Sequence, residues 1–246
     1  MALAESDLEA PAPSLLRLAR EATGLLELPG LAWRARGLLD QPRGDGSSVV
    51  VLPGFGADDR STWPLRTYLS RLGYRVRGWG LGRNDRDVPE TAERMGEVVG
   101  ELADRHGDAV SLVGWSLGGY IAREVARDRP EAVRQVITFG SPVIGGPKYT
   151  TAAVLASRRG WDLDGIAAAV AERKRVPLEV PITAIYSRRD GVVDWRACID
   201  DEGGGPIEHV EVRATHVGLG FSAEVYRLVA QRLARTDRET RGASLR

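Results

Sequence analysis

The stretch VSLVGWSLGGYIAREVA, Val110–Ala126, decides how the chain is read. An apolar run ends at Val113, Gly114, Gly118 and Gly119 crowd around Ser116, and a helical apolar period begins at Leu117. That texture predicts a buried strand, a tight turn and an amphipathic helix. Gly114-Trp115-Ser116-Leu117-Gly118 matches G-x-S-x-G, in which a strained strand-to-helix turn lifts a serine hydroxyl clear of a sheet. Glycine-rich turns of this kind also occur without chemistry. Ser116 is a nucleophile only if other parts of the chain supply a base, an orienting carboxylate and an oxyanion site.

Outward from this turn, short apolar runs alternate with helical patterns. VVVL (Val49–Leu52), YRVRGW (Tyr74–Trp79), AVSLVG (Ala109–Gly114), QVITFG (Gln135–Gly140), ITAIYS (Ile182–Ser187) and IEHVEV (Ile207–Val212) read as strands. Helices are expected over 62–72, 89–105, 117–127 and 222–234. The alternation predicts an α/β architecture, a mostly parallel sheet with helices on both faces. Residues 1–47 are expected to be an amphipathic helix and a linker. Leu15, Leu18, Ala19, Ala22, Leu25 and Leu26 share one face, with Arg17, Arg20 and Glu21 on the polar one. The core is expected over 48–235, with a cap inserted at about 142–181 and a polar, frayed tail over 236–246.

The chain has three histidines from which to draw a base. His106 sits in a polar helix-end turn and His209 on a strand face. His216, in RATHVGLGFS, follows the last strand, where a ring can swing over the carboxyl edge of a parallel sheet. Asp190, in YSRRDGVVDW, follows the strand before it and is the choice of orienting acid. Asp194 suits the cap of a short helix instead. Gly54 and Gly56 in VLPGFGADDRSTW let the backbone come close to a substrate. The N–H groups of Phe55 and Leu117 are therefore assigned to the oxyanion site.

Composition narrows the classes. The 246 residues carry 34 Lys+Arg and 34 Asp+Glu, so no net charge points to nucleic acid. The single Cys198 allows no internal disulfide and favours a reducing compartment. C-x-x-C and H-E-x-x-H patterns are missing, and no apolar run reaches the roughly eighteen residues of a transmembrane span. A soluble, cytoplasmic protein is expected. GWGLGRN (Gly78–Asn84) fails the dinucleotide fingerprint, since no third glycine opens a helix with an acidic residue downstream.

With the motifs in this order, the chain resembles the α/β-hydrolase superfamily, in its lipase/esterase-like branch, from about Val49 to Leu233. LPGFG resembles the family's oxyanion loop, GWSLGG its nucleophile turn, SRRDGVV its acid loop and THVGL its histidine loop. The order Ser116, Asp190, His216 is the family's order of nucleophile, acid and base. The resemblance implies an α/β-hydrolase fold with an eight-stranded sheet, shortened here because nothing before Val49 supplies the first two strands. Pro53 stands where many members carry histidine.

The activity this implies is hydrolysis of carboxylic esters through an acyl-enzyme, with no metal or organic cofactor. A small-molecule or lipid-like ester of short to medium chain is the expected substrate. Trp79, Leu81, Trp115, Val143, Ile144, Trp161, Val192 and Val193 are candidates to line its site, with core packing as the competing role. The rivals are an acyltransferase or thioesterase using the same triad, and a non-enzymatic binding protein on the same fold. The N-terminal helix is expected to lie on the domain, with self-association or contact with a membrane surface as the alternatives.

Overall fold

The computed structural model describes residues 21, 23–26, 35–151, 153, 162–199 and 205–244. The strands are β1 (Ser48–Leu52), β2 (Arg75–Gly78), β3 (Val110–Trp115), β4 (Val133–Phe139), β5 (Ile182–Tyr186) and β6 (Ile207–Glu211). They form one sheet in the order β2-β1-β3-β4-β5-β6, and every pair is parallel. The helices are α1 (Ala35–Leu39), α2 (Trp63–Arg71), α3 (Val88–His106), α4 (Leu117–Asp128), α5 (Leu163–Arg173), α6 (His216–Leu219) and α7 (Ala223–Ser244).

Side-chain alternation along the strands sorts the core into two layers. Val49, Val51, Val113, Ile137 and Ile185 pack with α1, α2 and α7 through Leu38, Leu65, Leu69, Tyr226, Val229 and Leu233. Val50, Leu52, Leu112, Val136 and Ile182 pack against α3 and α4 through Met95, Val99, Ile121 and Val125. A strand buried on both faces needs no polar alternation, which is why β1 reads VVVL.

The helix ends follow their sequence signals. Asp87 caps α3 by accepting from the Glu90 N–H, and Gly107, at φ 66°, closes it in the left-handed conformation. The last helix departs from expectation. It runs to Ser244 rather than ending near Ala234. Thr236 is buried, and its hydroxyl donates to Oε1 of Gln135 on β4, so the helix is tied to the sheet beyond the predicted end.

Between β4 and β5 lie a 3₁₀ turn (Gly146–Tyr149) and α5. The base of this excursion is pinned to the loop after β5. Thr150 bridges Val193, Asp194 N–H donates to the Tyr149 carbonyl, and Val143 and Ile144 N–H both donate to the Ala197 carbonyl. Val143, Ile144, Tyr149, Val193, Ala197 and Cys198 form a third apolar cluster there. The expected N-terminal amphipathic helix falls mostly outside the described residues, of which Thr23–Leu26 form a 3₁₀ turn. Among the described residues, no helix is long and apolar enough to cross a membrane.

Candidate active site

An all-parallel sheet delivers every β-to-α loop to one edge, so the chain's chemistry gathers at the carboxyl ends of the strands. Ser116 follows β3 directly, Asp190 lies in the loop after β5 and His216 begins α6 after β6. Phe55 lies in the loop after β1.

Ser116 has φ 53° and ψ −123°, and it is the one non-glycine residue with positive φ among the described residues. Such a backbone costs on the order of 1–3 kcal/mol and persists only where the surroundings enforce it. They do so here by close packing. A Cβ on Gly114 would collide with the Gly119 Cα, and one on Gly118 would strike the Leu52 and Pro53 carbonyls. The Ser116 N–H donates to the Phe139 carbonyl, while the Ser116 carbonyl accepts from Gly119 and Tyr120. The turn is thus locked from both the sheet and the helix. Leu117 is the first residue of α4, where a backbone N–H has no acceptor within the helix.

Asp190 and His216 meet on a 2.7 Å hydrogen bond in which Nδ1–H donates to Oδ2. The second carboxylate oxygen, Oδ1, accepts from the Val192 and Val193 N–H groups, each at 2.8 Å. Three partners therefore fix the Asp190 side chain, which is 1% exposed. Because a carboxylate only accepts, the bond assigns the proton of a neutral ring to Nδ1 and leaves the lone pair on Nε2. Burial by itself disfavours the imidazolium. The Asp190 charge and hydrogen bond, with a further contribution from Glu21, outweigh it, so the His216 pKa is raised above its ordinary 6.5.

The indole of Trp115, the residue before Ser116, lies 6.0 Å from the His216 ring between centroids and packs on Phe139 and Phe221. Gly140, at φ 60°, leaves room beside Asp190 and His216. A Cβ there would stand 3.1 Å from His216 Nδ1 and 3.2 Å from Asp190 Oδ2. Gly54 approaches the Ser116 turn closely enough that a Cβ on it would sit 3.4 Å from the Ser116 Cβ.

The loop carrying Phe55, itself 40% exposed, is held from behind by Asn84. The buried Asn84 side chain donates to the Pro53 carbonyl at 2.8 Å, and its backbone pairs with Gly56 and Ala57. Nothing in the local pattern GRNDRD marks Asn84 out, and sequence reasoning missed it.

Other candidates lie elsewhere. His106 is exposed and shares a 2.8 Å hydrogen bond with the Ser48 hydroxyl, and His209 is exposed on β6. Asp194 caps the 3₁₀ turn Trp195–Cys198 through the Arg196 N–H. Trp79 is buried under α3 and donates its indole N–H to the Gly82 carbonyl, with Leu81 packed on the same cluster. Val143 and Ile144 are buried in the third cluster and Val192 is half-buried on it. Trp161 lies outside the described residues. Burial raises the Cys198 thiol pKa, helped by the charges of Asp190 and Asp194, so this thiol is held protonated beside the acid loop.

Glu21 overturns its reading as a solvent-facing residue. It is 5% exposed, and Oε1 accepts from the Gly191 N–H at 2.8 Å while Oε2 accepts from the Val217 N–H at 2.9 Å.

Residues 49–241 match the model of the family described as "Alpha/beta hydrolase family". The chain belongs to the alpha/beta hydrolase family. Among the described residues, the parallel sheet has six strands and carries helices on both faces. A pimeloyl-[acyl-carrier protein] methyl ester esterase of Aliivibrio salmonicida (strain LFI1238) is 28% identical over 148 residues, 60% of this chain and 52% of that protein. The chain thus spans about half the length of that curated relative. A solved structure from work on LipS and LipT, two metagenome-derived lipolytic enzymes, superposes with a TM-score of 0.63 at 17% identity. It covers 80% of this chain and 96% of its own. The monoacylglycerol lipase of Paleococcus ferrophilus superposes with a TM-score of 0.58 at 16% identity, over 80% and 97% of the two chains. At these identities, the two structural likenesses bear on the alpha/beta hydrolase fold alone.

Proposed function

We propose that the protein hydrolyses carboxylic esters through an acyl-enzyme formed on Ser116. The observation that carries the reading is the 2.7 Å Asp190–His216 hydrogen bond on the same sheet edge as a serine held at positive φ. Ser116 Oγ attacks the ester carbonyl as His216 Nε2 takes its proton, and Asp190 stabilises the imidazolium through Nδ1–H. The oxyanion receives hydrogen bonds from the N–H groups of Phe55 and Leu117. Collapse expels the alcohol, which His216 protonates. Water then attacks the acyl group while His216 takes its proton, and collapse frees the carboxylic acid as His216 returns that proton to the Ser116 oxygen.

The excursion between β4 and β5 acts in this reading as a small cap. Its base packs on the loop that carries Asp190, through Val143, Ile144 and Val193. The name of the Aliivibrio relative adds carrier-borne acyl methyl esters to the substrates worth assaying.

The test is turnover of p-nitrophenyl acetate, butyrate, octanoate and palmitate, with Ser116→Ala alongside. Activity that disappears in a folded Ser116→Ala protein supports the reading. Turnover that survives the substitution overturns it.

A further inference from the structure

We infer that Glu21 is a positioning residue that clamps the acid loop to the histidine helix, making the segment before the sheet part of the site's apparatus. The inference rests on the Ser116–His216–Asp190 reading above. Gly191 is the residue after Asp190 and Val217 the residue after His216. One carboxylate accepts from both of their N–H groups, an oxygen to each. These contacts span 170 and 196 residues of sequence, so a single buried side chain joins two loops that only the finished sheet brings together. Bidentate acceptance by a carboxylate is stronger and more directional than two neutral contacts, and burial strengthens it further.

A second contact seats the same segment. Gly24 lies against α6 so closely that a Cβ on it would overlap the Gly218 nitrogen and stand 2.6 Å from Thr215 Oγ1. The hydroxyl of Thr215 caps α6 through the Gly218 N–H. Residues 21 and 24 therefore both press on the first turn of one short element, over Thr215, Val217 and Gly218, and that element begins with the proposed base.

The clamp acts on geometry and on charge. Geometrically, it fixes the spacing between the loops that carry the 2.7 Å Asp190–His216 bond. Electrostatically, its charge favours the imidazolium that forms when Ser116 is deprotonated. The charged groups acting on the ring are Asp190 from the loop after β5 and Glu21 from the N-terminal segment. Behind Asp190 stand the Cys198 thiol and Asp194 of the 3₁₀ turn. Glu21 touches no reacting atom, and its effect passes through the groups it holds.

Glu21→Gln is nearly isosteric, but its amide offers one acceptor oxygen where two N–H groups need acceptors. In the full-length protein, kcat for p-nitrophenyl butyrate is expected to fall roughly tenfold with KM unchanged within about twofold. The acidic limb of kcat/KM should move to lower pH, because a charge favouring protonated His216 is gone. Gly24→Ala displaces the segment without touching the carboxylate and should reproduce the kcat loss and the limb shift.

Wild-type kcat and an unmoved acidic limb in a folded Glu21→Gln protein would overturn the clamp. So would a loss of melting temperature alone, or failure of both variants to fold, either of which makes Glu21 a stability residue. Ser116→Ala in the same assay separates the failures. If it stays active, the hydrolase reading falls, whereas if it is dead and Glu21→Gln is indistinguishable from wild type, only the clamp falls.

Discussion

Replacing Asp190 by asparagine changes one atom and tests the arrangement sharply. Oδ1 accepts from two backbone N–H groups at 2.8 Å, and Oδ2 accepts from His216 at 2.7 Å. The asparagine oxygen stays with the two N–H groups, since turning it away would orphan both at about 1–3 kcal/mol each. Its NH₂ then faces His216 Nδ1, which can only accept. The ring is driven into the tautomer with the proton on Nε2, the position that must take the proton of Ser116. In a serine protease triad the same exchange costs about 10⁴ in kcat, or about 5.4 kcal/mol on the barrier, and a loss of that size is expected here. Stability should change little, because the backbone partners stay satisfied. Asp190→Ala leaves both unpaired and should lower the melting temperature as well.

The assay is kcat and kcat/KM for p-nitrophenyl butyrate across pH, with circular dichroism melts. In the wild type the base must be neutral, and its pKa is raised, so kcat/KM falls as pH drops through a value above 6.5. Losing the Asp190 charge moves whatever residual limb remains to lower pH. A folded Asp190→Asn enzyme within tenfold of wild-type kcat would refute the assignment of Asp190 and the tautomer argument with it.

The packing around the nucleophile makes two further tests. Gly114→Ala forces a Cβ onto the Gly119 Cα, and overpacking of this kind costs about 1–3 kcal/mol. Urea denaturation should show that loss together with weaker fluorophosphonate labelling of Ser116, and unchanged values of both would contradict a locked turn. Asn84→Ala removes the donor to the Pro53 carbonyl and loosens the loop that carries Phe55. It should lower kcat about tenfold with little change in KM, and a KM effect alone would count against an oxyanion role for that loop.

The sequence displayed what depends on local pattern. A strand buried on both faces is mostly apolar, so β1 and the apolar stretches of β3 and β4 stood out as runs, and the serine turn was visible in its glycines. His216 could be placed because a loop after the last strand of a parallel sheet has one edge to reach. Long-range pairing left no such trace. Glu21 sits where a helical wheel puts a solvated charge, and only folding shows that its partners are two N–H groups far along the chain. Asn84 likewise lies in a polar loop whose partner, the Pro53 carbonyl, is 31 residues away. The reach of α7 beyond Ala234 was hidden for the same reason, since Thr236 finds Gln135 at a separation of 101 residues.

The strand order also bears on how the molecule is made. Every strand after β1 pairs with one that precedes it in sequence: β2 and β3 with β1, β4 with β3, β5 with β4 and β6 with β5. On a ribosome, no emerging strand waits for a neighbour still to be translated, so the sheet can extend at the pace of synthesis, β2 on one side of β1 and β3 to β6 on the other. The serine turn is delivered before Asp190 and His216, and the contacts of Glu21 with Gly191 and Val217 wait for segments made some 170 and 196 residues later. An unfinished chain thus presents the Ser116 hydroxyl before Asp190 and His216 exist to meet it, so the proposed site is complete only once the segment after β6 has been made.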